Sequence, residues 1–303
     1  MKRTGKTVLC ALLLLAALWG LMTAAAAVKG DDDMAHGKGL AYDVKTFDVT
    51  EAFSNIRVED VDCNVRILRA ADGRCKVVCQ ERRDGSIWHT VTVSSGELSV
   101  QRHDRRKWYQ RFGVSLDIPD VEVYLPENAY GMLTCHSTAG SIQVDEGFTF
   151  DRVSLKSTSG SVRMLSDAKD ELQAESISGS VDIENASPET LAAKSTSGRV
   201  LLSHIRCGEL SARTTAGAIE LTDAIAEKSL YAKSVSGGVS LDGCDGGAIR
   251  IATISGTVKG TILSGKIFMT DSTSGSVSVP ASAAGGECEV TTTSGSIVLD
   301  VRQ

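Results

Sequence analysis

The sequence predicts an all-β protein, a single-stranded parallel β-solenoid (β-helix or β-roll) of 19–20-residue coils with an atypical N-terminal cap. The first observation is a glycine that recurs nine times at intervals of 19 or 20 residues. The second is an alternation of inward-facing and outward-facing residues around that glycine, which is the period of a strand with one buried face. No window shows a sustained 3.6-residue period, so the repeats should be nearly free of helix. The recurring glycines are Gly140, Gly160, Gly179, Gly198, Gly217, Gly237, Gly256, Gly275 and Gly295.

Each coil is expected to have one strand before the glycine and one after it. The residue two after the glycine is β-branched in every coil, and the residue three before it is always Ser or Thr. The same alternation predicts that the residue one before the glycine, usually Ser, also faces inward. Buried hydroxyls are costly without partners, so we expect them to bond to neighbouring coils or to the backbone. The inward phase jumps across the glycine, which predicts a corner where glycine bends the chain or adopts positive φ.

The segments that close each coil are polar and uneven, as in residues 184–190 and 242–247, and are expected to form the irregular side of the solenoid. Earlier in the chain, strand-like runs lack the Ser-Gly motif. Terminal coils are often atypical because they seal the core from water. The predicted organisation is a linker over residues 29–42, atypical coils and a cap over 43–130, and regular repeats over 131–303. The five early runs are residues 56–59, 65–68, 77–79, 88–93 and 121–125.

Residues 1–28 are typical of an export signal. Lys2, Arg3 and Lys6 precede an apolar run, and small residues then follow in an A-x-A pattern with a predicted cut before Ala27. The alternative is an uncleaved signal anchor, because residues 8–28 carry no charge over a length that can just span a bilayer. Both interpretations place the rest of the chain outside the cytoplasm, secreted or anchored at the outer face of the cytoplasmic membrane.

Composition argues against several kinds of chemistry. A net charge of −6 gives no support for nucleic-acid binding. Eight cysteines less Cys10 in the export signal leave seven, an odd and scattered set that favours buried small hydrophobes over a disulfide framework. The five histidines are dispersed, with no second ligand at metal spacing, so no metal and no cofactor are expected.

Three features together carry a resemblance to a known family. They are the opening phrase F-S-N-I-R-V at residues 53–58, the phrase V-E-V-Y-L-P at 121–126, and the train of S-x-S-G-x-V coils behind an export signal. The chain resembles the bacterial putative-adhesin family of β-strand-repeat domains over about residues 43 to 303. The resemblance implies the β-solenoid fold, and it brings no catalytic residues because the family is recognised by its repeat alone.

The strongest candidate for a ligand-binding surface is a segment in which basic residues are interleaved with aromatic ones. Such cations can bind anionic glycans, polymers or membrane headgroups by charge, while an aromatic ring adds stacking. The alternative is a solvated loop whose tryptophan covers the end of the solenoid. The candidate residues are Arg102, Arg105, Arg106, Lys107, Trp108, Tyr109 and Arg111.

Two outward rows of the solenoid are candidates for a functional surface. The row four before the glycine is rich in basic residues and is interpreted as a solubilising face that blunts edge pairing. In the row three after the glycine, Asp182 and Glu220 lie two coils apart, a separation that suits an inverting glycosidase. No acidic cluster forms around them, so catalysis is not expected. The basic row contains Lys156, Lys194, Arg213 and Lys233, interrupted by Glu175.

The sequence therefore favours an exported, non-catalytic cell-envelope module for surface interaction. Its expected partner is an envelope glycan, an anionic polymer or a surface protein, with no nucleic acid and with an N-terminal membrane anchor if the signal is uncleaved. Two alternatives stay open: an extracytoplasmic sensor or scaffold that works with a membrane partner, and a carbohydrate-active β-helix enzyme.

Overall fold

The computed structural model describes residues 42–107, 118–281 and 284–302, which contain twenty-two strands and no helix. Accordingly, this part of the chain offers no helix long and apolar enough to cross a membrane. The strands are β1 Tyr42–Val49, β2 Asn55–Glu59, β3 Asn64–Arg69, β4 Cys75–Arg82, β5 Ile87–Ser94, β6 Glu97–Asp104, β7 Asp120–Leu125, β8 Ala129–Ser137, β9 Ile142–Val144, β10 Thr149–Ser157, β11 Val162–Met164, β12 Asp167–Ser176, β13 Val181–Glu184, β14 Thr190–Ser195, β15 Val200–Arg213, β16 Ile219–Lys233, β17 Val239–Thr253, β18 Val258–Ile262, β19 Lys266–Ser272, β20 Val277–Ser278, β21 Gly286–Thr292 and β22 Ile297–Val301.

Successive coils stack in parallel, as the repeat predicts. Strand β10 lies between β8 and β12, so that Val153 is in register with Leu133 on one side and Leu172 on the other. After the corner, β11 lies between β9 and β13 in the same manner. The predicted parallel β-solenoid is therefore confirmed.

The inward rows form a continuous apolar core. Residues two after the corner glycine are at most 1% exposed in eight of the nine coils, and Val277 is the exception at 44%. Burial of such aliphatic side chains contributes about 25 cal/mol per Å² of apolar surface removed from water. The eight buried residues are Ile142, Val162, Val181, Val200, Ile219, Val239, Val258 and Ile297.

The inward hydroxyls three before the glycine bond to the backbone. Ser157 Oγ donates to the carbonyl oxygen of Gly140 in the preceding coil at 2.9 Å, and it accepts the N–H of Gly160 at 3.0 Å. The same pair of bonds recurs through Ser176, Ser195 and Thr214. Each hydroxyl thus ties its own corner to the corner of the coil beside it.

Close approach explains the corner glycines. A Cβ on Gly160 would lie 2.1 Å from the carbonyl oxygen of Gly140, and one on Gly198 would lie 2.1 Å from that of Gly179. Neither glycine is among the residues with positive φ. Of the two reasons that the sequence left open, the bend against a stacked neighbour is the correct one.

The prediction that the serine one before the glycine faces inward is wrong. Ser159, Ser178 and Ser197 are all exposed. Strand β10 ends at Ser157, so the next two residues follow the bend of the corner and the strand alternation does not reach them. The exposed hydroxyls consequently form a ridge along the corner.

The irregular return is present in some coils and absent from others. Residues 185–189 form a loop, as predicted, whereas 242–247 lie within the long strand β17. This second expectation is wrong because the glycine-rich segment still pairs in register: Asp245 with Ile225 and Gly246 with Ala226. Backbone hydrogen bonds to neighbouring coils hold these segments in strand conformation without apolar alternation.

The N-terminal region combines parallel solenoid strands with antiparallel ones. Strands β2 and β3 form the first coil, which pairs in parallel with β8 and β9 on one side and with β6 and β7 on the other. Strand β4 pairs antiparallel with both β1 and β7, and β5 pairs antiparallel with β6. All five early runs predicted from sequence lie within strands of this region.

The last two coils are stacked in the reverse of their chain order. Strands β21 and β22 pair with β17 and β18, while β19 and β20 pair only with β21 and β22 among the described residues. The coil of Gly295 therefore lies between those of Gly256 and Gly275. This order explains why Val277 is exposed, because no further coil covers it in the part of the chain that the structure describes.

All seven cysteines in the described residues are buried thiols without disulfide bonds. Cys135 and Cys288 show why, since each occupies an inward position of a strand where an aliphatic residue stands in other coils. Burial raises the pKa of Cys135 to about 12 and that of Cys288 to about 11. These thiols are therefore protonated at neutral pH.

Candidate functional site

The basic-aromatic segment begins in strand β6. Two of its arginines, Arg102 in β6 and Arg106 just after it, form ion pairs with carboxylates. Arg102, whose side chain is 5% exposed, donates from Nη2 to Asp62 Oδ2 at 2.7 Å. Arg106 donates from Nη2 to Asp104 Oδ2 at 2.8 Å and lies 3.3 Å from Asp62 Oδ2. Ion pairs with carboxylates on the β2–β3 turn and on β6 thus hold both guanidinium groups.

Hydrogen bonding within this network also changes the acidity of Asp104. The Arg106 guanidinium, which donates to the carboxylate, lowers the pKa of Asp104 to about 2. Charge repulsion between the two arginines is offset by the carboxylates they share. The ion pairs therefore stabilise the end of β6. Because Arg102 and Arg106 are already paired with carboxylates, they are less available to bind an external anion.

The other predicted residues of this segment differ in their placement. Arg105 is exposed, and its guanidinium carbon lies 4.4 Å from the ring centroid of Trp88, a cation–π contact. Lys107 is exposed as well. Trp108, Tyr109 and Arg111 lie outside the described residues. The assignment of a ligand-binding surface here stays a prediction.

A second cationic surface lies on the solenoid, in the row four before the glycine. Lys194 on β14 is in register with Arg213 on β15, and Arg213 is in register with Lys233 on β16. All three side chains are exposed. Parallel strands lie about 4.8 Å apart, so three positive charges fall within about 10 Å. We call these three residues the cationic stripe.

Carboxylates do not compensate the cationic stripe among the residues that the structure describes. Glu175 lies in register beside Lys194, but its nearest cation is Lys156, with Nζ and Oε2 4.0 Å apart. Arg213 instead places its guanidinium carbon 4.8 Å from the ring centroid of Tyr231. Like charges directly opposite each other in a sheet are destabilising, so the stripe costs free energy in the unliganded protein.

The two carboxylates weighed as a glycosidase pair are both engaged. Asp182 and Glu220 lie on either side of Leu201 in register, as the repeat predicts. Arg163 Nε is 3.5 Å from Asp182 Oδ2, and Arg199 Nη1 is 3.7 Å from Glu220 Oε1. Burial, together with the charge of Glu184, raises the pKa of Asp182, and Glu184 shares Arg163 with it at 3.0 Å.

One buried cluster of possible metal ligands was not predicted from the sequence. His89 Nε2 lies 2.8 Å from Asp60 Oδ2, and Cys63 completes a group whose possible ligand atoms all lie within 4.8 Å of one another. Asp60 and His89 are 29 residues apart in the chain, and only the pairing of β6 with both β2 and β5 brings them together. No local spacing pattern signals such a contact.

Two solved structures are similar to this chain. A "putative lipid binding protein" from Parabacteroides distasonis has a TM-score of 0.52 at 12% identity, covering 86% of this chain and 97% of that one. A "putative adhesin" from Bacteroides fragilis has a TM-score of 0.47 at 14% identity, covering 86% of this chain and 98% of that one. At these identities the likeness concerns the fold alone.

A search of curated proteins found no match to the chain. The family model described as Toastrack DUF4097 matches residues 53–245, which is well over half of the 303 residues. The matched segment runs from just before β2 into β17, so it covers the coils up to that of Gly237 and ends before the coils of Gly256, Gly275 and Gly295. The chain belongs to the Toastrack DUF4097 family.

Proposed function

We propose that this protein is an exported, non-catalytic interaction module of the cell envelope, which binds a linear anionic polymer through the cationic stripe. The observation that carries the proposal is the arrangement of three cations in register on adjacent strands, with no carboxylate of the described residues paired with them. These cations are Lys194, Arg213 and Lys233. A ligand with repeated carboxylate or phosphate groups would offset the repulsion among the three cations. The solenoid repeats its outward positions every 4.8 Å or so, which suits a ligand that is itself a repeat.

The surroundings of the stripe support a polymer rather than a small ligand. Arg213 is oriented by Tyr231, so less side-chain freedom is lost when it binds an anion. The exposed ridge of corner hydroxyls, with Thr196 and Thr215 two residues beyond Lys194 and Arg213, runs beside the stripe and can donate hydrogen bonds to a glycan. Export, predicted from residues 1–28, would place this face where envelope polymers are found.

The test is binding of the purified protein to polygalacturonate and to a polyglycerol phosphate, measured at low and moderate salt. Replacing the three stripe cations with glutamine should weaken binding by tenfold or more and flatten its salt dependence. The matched control removes three cations that are already paired with exposed carboxylates, so the net charge changes equally. The control substitutions are Lys169→Gln, Arg206→Gln and Arg250→Gln.

A further variant separates the two candidate surfaces. Arg105→Gln with Lys107→Gln removes the exposed cations of the basic-aromatic segment while leaving the Arg102 and Arg106 ion pairs in place. Binding that is lost here and retained in the stripe variant would transfer the site to that segment. Equal binding by wild type and the stripe variant would contradict the proposal, as would turnover of either polymer by the wild type.

A further inference from the structure

The corner of the first coil is built differently from every later corner. Asp60 follows β2 where the later coils have the inward Ser or Thr, and Cys63 occupies the position of the corner glycine. The register shows this equivalence, because Ser137 Oγ donates to Cys63 O just as Ser157 Oγ donates to Gly140 O. The first coil thus has a carboxylate and a thiol where the others have a hydroxyl and a hydrogen atom.

The carboxylate has one oxygen more than a hydroxyl, and that oxygen faces His89. Asp60 Oδ1 accepts the backbone N–H groups of Val61, Asp62 and Cys63 at 2.6–2.9 Å. Burial alone would raise the pKa of Asp60, but hydrogen bonds from His89 and from the backbone outweigh it and lower the pKa. Oδ2 of this anion is left with the Nε2 atom of His89 at 2.8 Å.

The imidazole of His89 has an unused nitrogen that is fully buried. Its side chain is 0% exposed, and Nδ1 has no hydrogen-bond partner within the described part of the chain. Glu81 Oε1 accepts the backbone N–H of His89 at 2.7 Å and lies 3.7 Å from Nδ1. Histidines that bind a metal through one ring nitrogen usually donate the other N–H to a carboxylate, and Glu81 is placed for that role.

The corner that carries Cys63 lies between two pairs of strands, because β2 and β3 pair in parallel with β8 and β9 on one side and with β6 and β7 on the other. A Cβ at the next corner, Gly140, would lie 1.8 Å from Cys63 O, whereas Cys63 has a side chain and is itself only 1% exposed. Burial and the charge of Asp60 raise the pKa of the Cys63 thiol well above its ordinary range. The thiol is therefore protonated unless a cation displaces its proton.

The charges around the cluster are compatible with a divalent cation. Asp60 and a Cys63 thiolate together carry two negative charges, which a divalent ion neutralises. The nearby Arg102, with Nε 3.9 Å from Asp60 Oδ1, is itself paired with Asp62. One oxygen, one sulfur and one imidazole nitrogen form a ligand set that Zn²⁺ accepts in a tetrahedral centre.

We infer that Asp60, Cys63 and His89 bind a divalent first-row cation of the Zn²⁺ type, which fixes the β5–β6 hairpin to the first coil. Asp60 and Cys63 belong to the β2–β3 turn and His89 to β5, so the ion would join two segments of the cap. Binding through Nε2 leaves the imidazole proton on Nδ1, facing Glu81. The thiol proton of Cys63 is released to solvent. This site is independent of the cationic stripe and of the ligand proposed for it.

The test starts from the purified full chain, reduced and stripped of metal with a chelator. Titration with Zn²⁺, followed by elemental analysis after gel filtration, should give one ion per chain and a higher thermal midpoint. Titration with Co²⁺ should give a near-ultraviolet thiolate-to-cobalt charge-transfer band. Cys63→Ala should abolish the band and the uptake of one equivalent. The matched control Cys135→Ala removes another buried thiol outside the cluster and should retain both.

Glu81→Gln provides a variant that keeps all three ligands. It should weaken Zn²⁺ binding by about ten- to a hundredfold, because the imidazole loses the carboxylate that orients it. Circular dichroism of each metal-free variant establishes that it is folded. Failure of the folded wild type to retain Zn²⁺ after gel filtration would overturn the inference. An unchanged cobalt band in Cys63→Ala would also overturn it.

Discussion

The hydroxyl of Ser157 donates to the carbonyl oxygen of Gly140, 2.9 Å away in the neighbouring coil, and accepts the N–H of Gly160 three residues ahead. One small side chain thereby satisfies a backbone acceptor and a backbone donor that the corner removes from the strand ladder. Thr214 serves the same purpose in its own coil, where it donates to Gly198 O and accepts the N–H of Gly217. The relationship explains why this position is hydroxylic in every coil.

Ser157→Ala should lower the free energy of unfolding by about 1–3 kcal/mol, because two buried backbone groups lose their partner. Ser157→Thr should be tolerated, since Thr214 makes the same bonds in its own coil. Urea unfolding measures both. Ser178→Ala, at an exposed position one before the glycine, is the control and should change stability by less than about 0.5 kcal/mol. Equal effects of the two alanine substitutions would refute the assignment.

Val200→Asp should destabilise the protein by several kcal/mol, about 3 or more, because it places an unpaired charge in the core. Val277 occupies the same motif position but is 44% exposed, whereas Val200 is 0% exposed. Val277→Asp should therefore cost much less. Thermal and urea midpoints of the two variants check this, and similar losses would mean that the Gly275 coil is covered.

Gly198→Ala should also destabilise the solenoid, since the added Cβ would lie 2.1 Å from the carbonyl oxygen of Gly179. Backbone must move to relieve this contact, which separates two coils at their corners. Ser197→Ala, one residue earlier and exposed, is the matched control and should be nearly neutral. Comparison of the two urea midpoints decides the matter. A neutral Gly198→Ala would show that the corners are stacked less closely.

The reversed order of the last two coils predicts a specific disulfide. Lys259 is in register with Val298, so Lys259→Cys combined with Val298→Cys should crosslink on mild oxidation. Ser278 lies one coil further away, in register with Val298 rather than Lys259. The pair Lys259→Cys and Ser278→Cys should not crosslink. Peptide mapping by mass spectrometry shows which of the two cysteine pairs is crosslinked. The opposite result would mean that the Gly275 and Gly295 coils are stacked in chain order.

Stability should depend on pH through Asp104. The Arg106 hydrogen bond lowers its pKa from 3.8 to about 2, so this carboxylate stabilises the folded state above pH 3.8. That contribution should be lost as the pH falls from about 4 to about 2. Asp104→Asn should flatten the urea midpoint over that range. Asp151→Asn, which removes an exposed ion pair, should leave the slope unchanged.

Much of the coil could be predicted from local pattern because each coil contains the whole pattern. The period of the glycines indicated the solenoid, and β-branched residues such as Val200 marked the buried face by their spacing. The pattern wrongly predicted that Ser159 faces inward, because strand alternation does not continue into residues that follow a bend. It also could not show that 242–247 pair as strand, since backbone hydrogen bonds there need no apolar side chains.

The candidate sites depended on contacts across the chain. The repeat placed Lys194 and Arg213 in one outward row, but it could not show that no carboxylate of the described residues forms an ion pair with them. It also singled out Arg102 as a surface cation, whereas the fold buries it beside Asp62. The approach of His89 to Asp60 follows from the antiparallel hairpin, which no repeat encodes.

The sequence by itself determined the unit of this protein: a 19–20-residue coil, its inward rows, its hydroxyl position and its glycine corner. These follow from the alternation of side chains along a strand and from the cost of burying unpaired polar groups. Only the tertiary structure decided which coil lies beside which. All coils present nearly the same edge, so the reversed order of the Gly275 and Gly295 coils cannot be read from local pattern. The same holds for the first corner, where the β5–β6 hairpin brings His89 against Asp60.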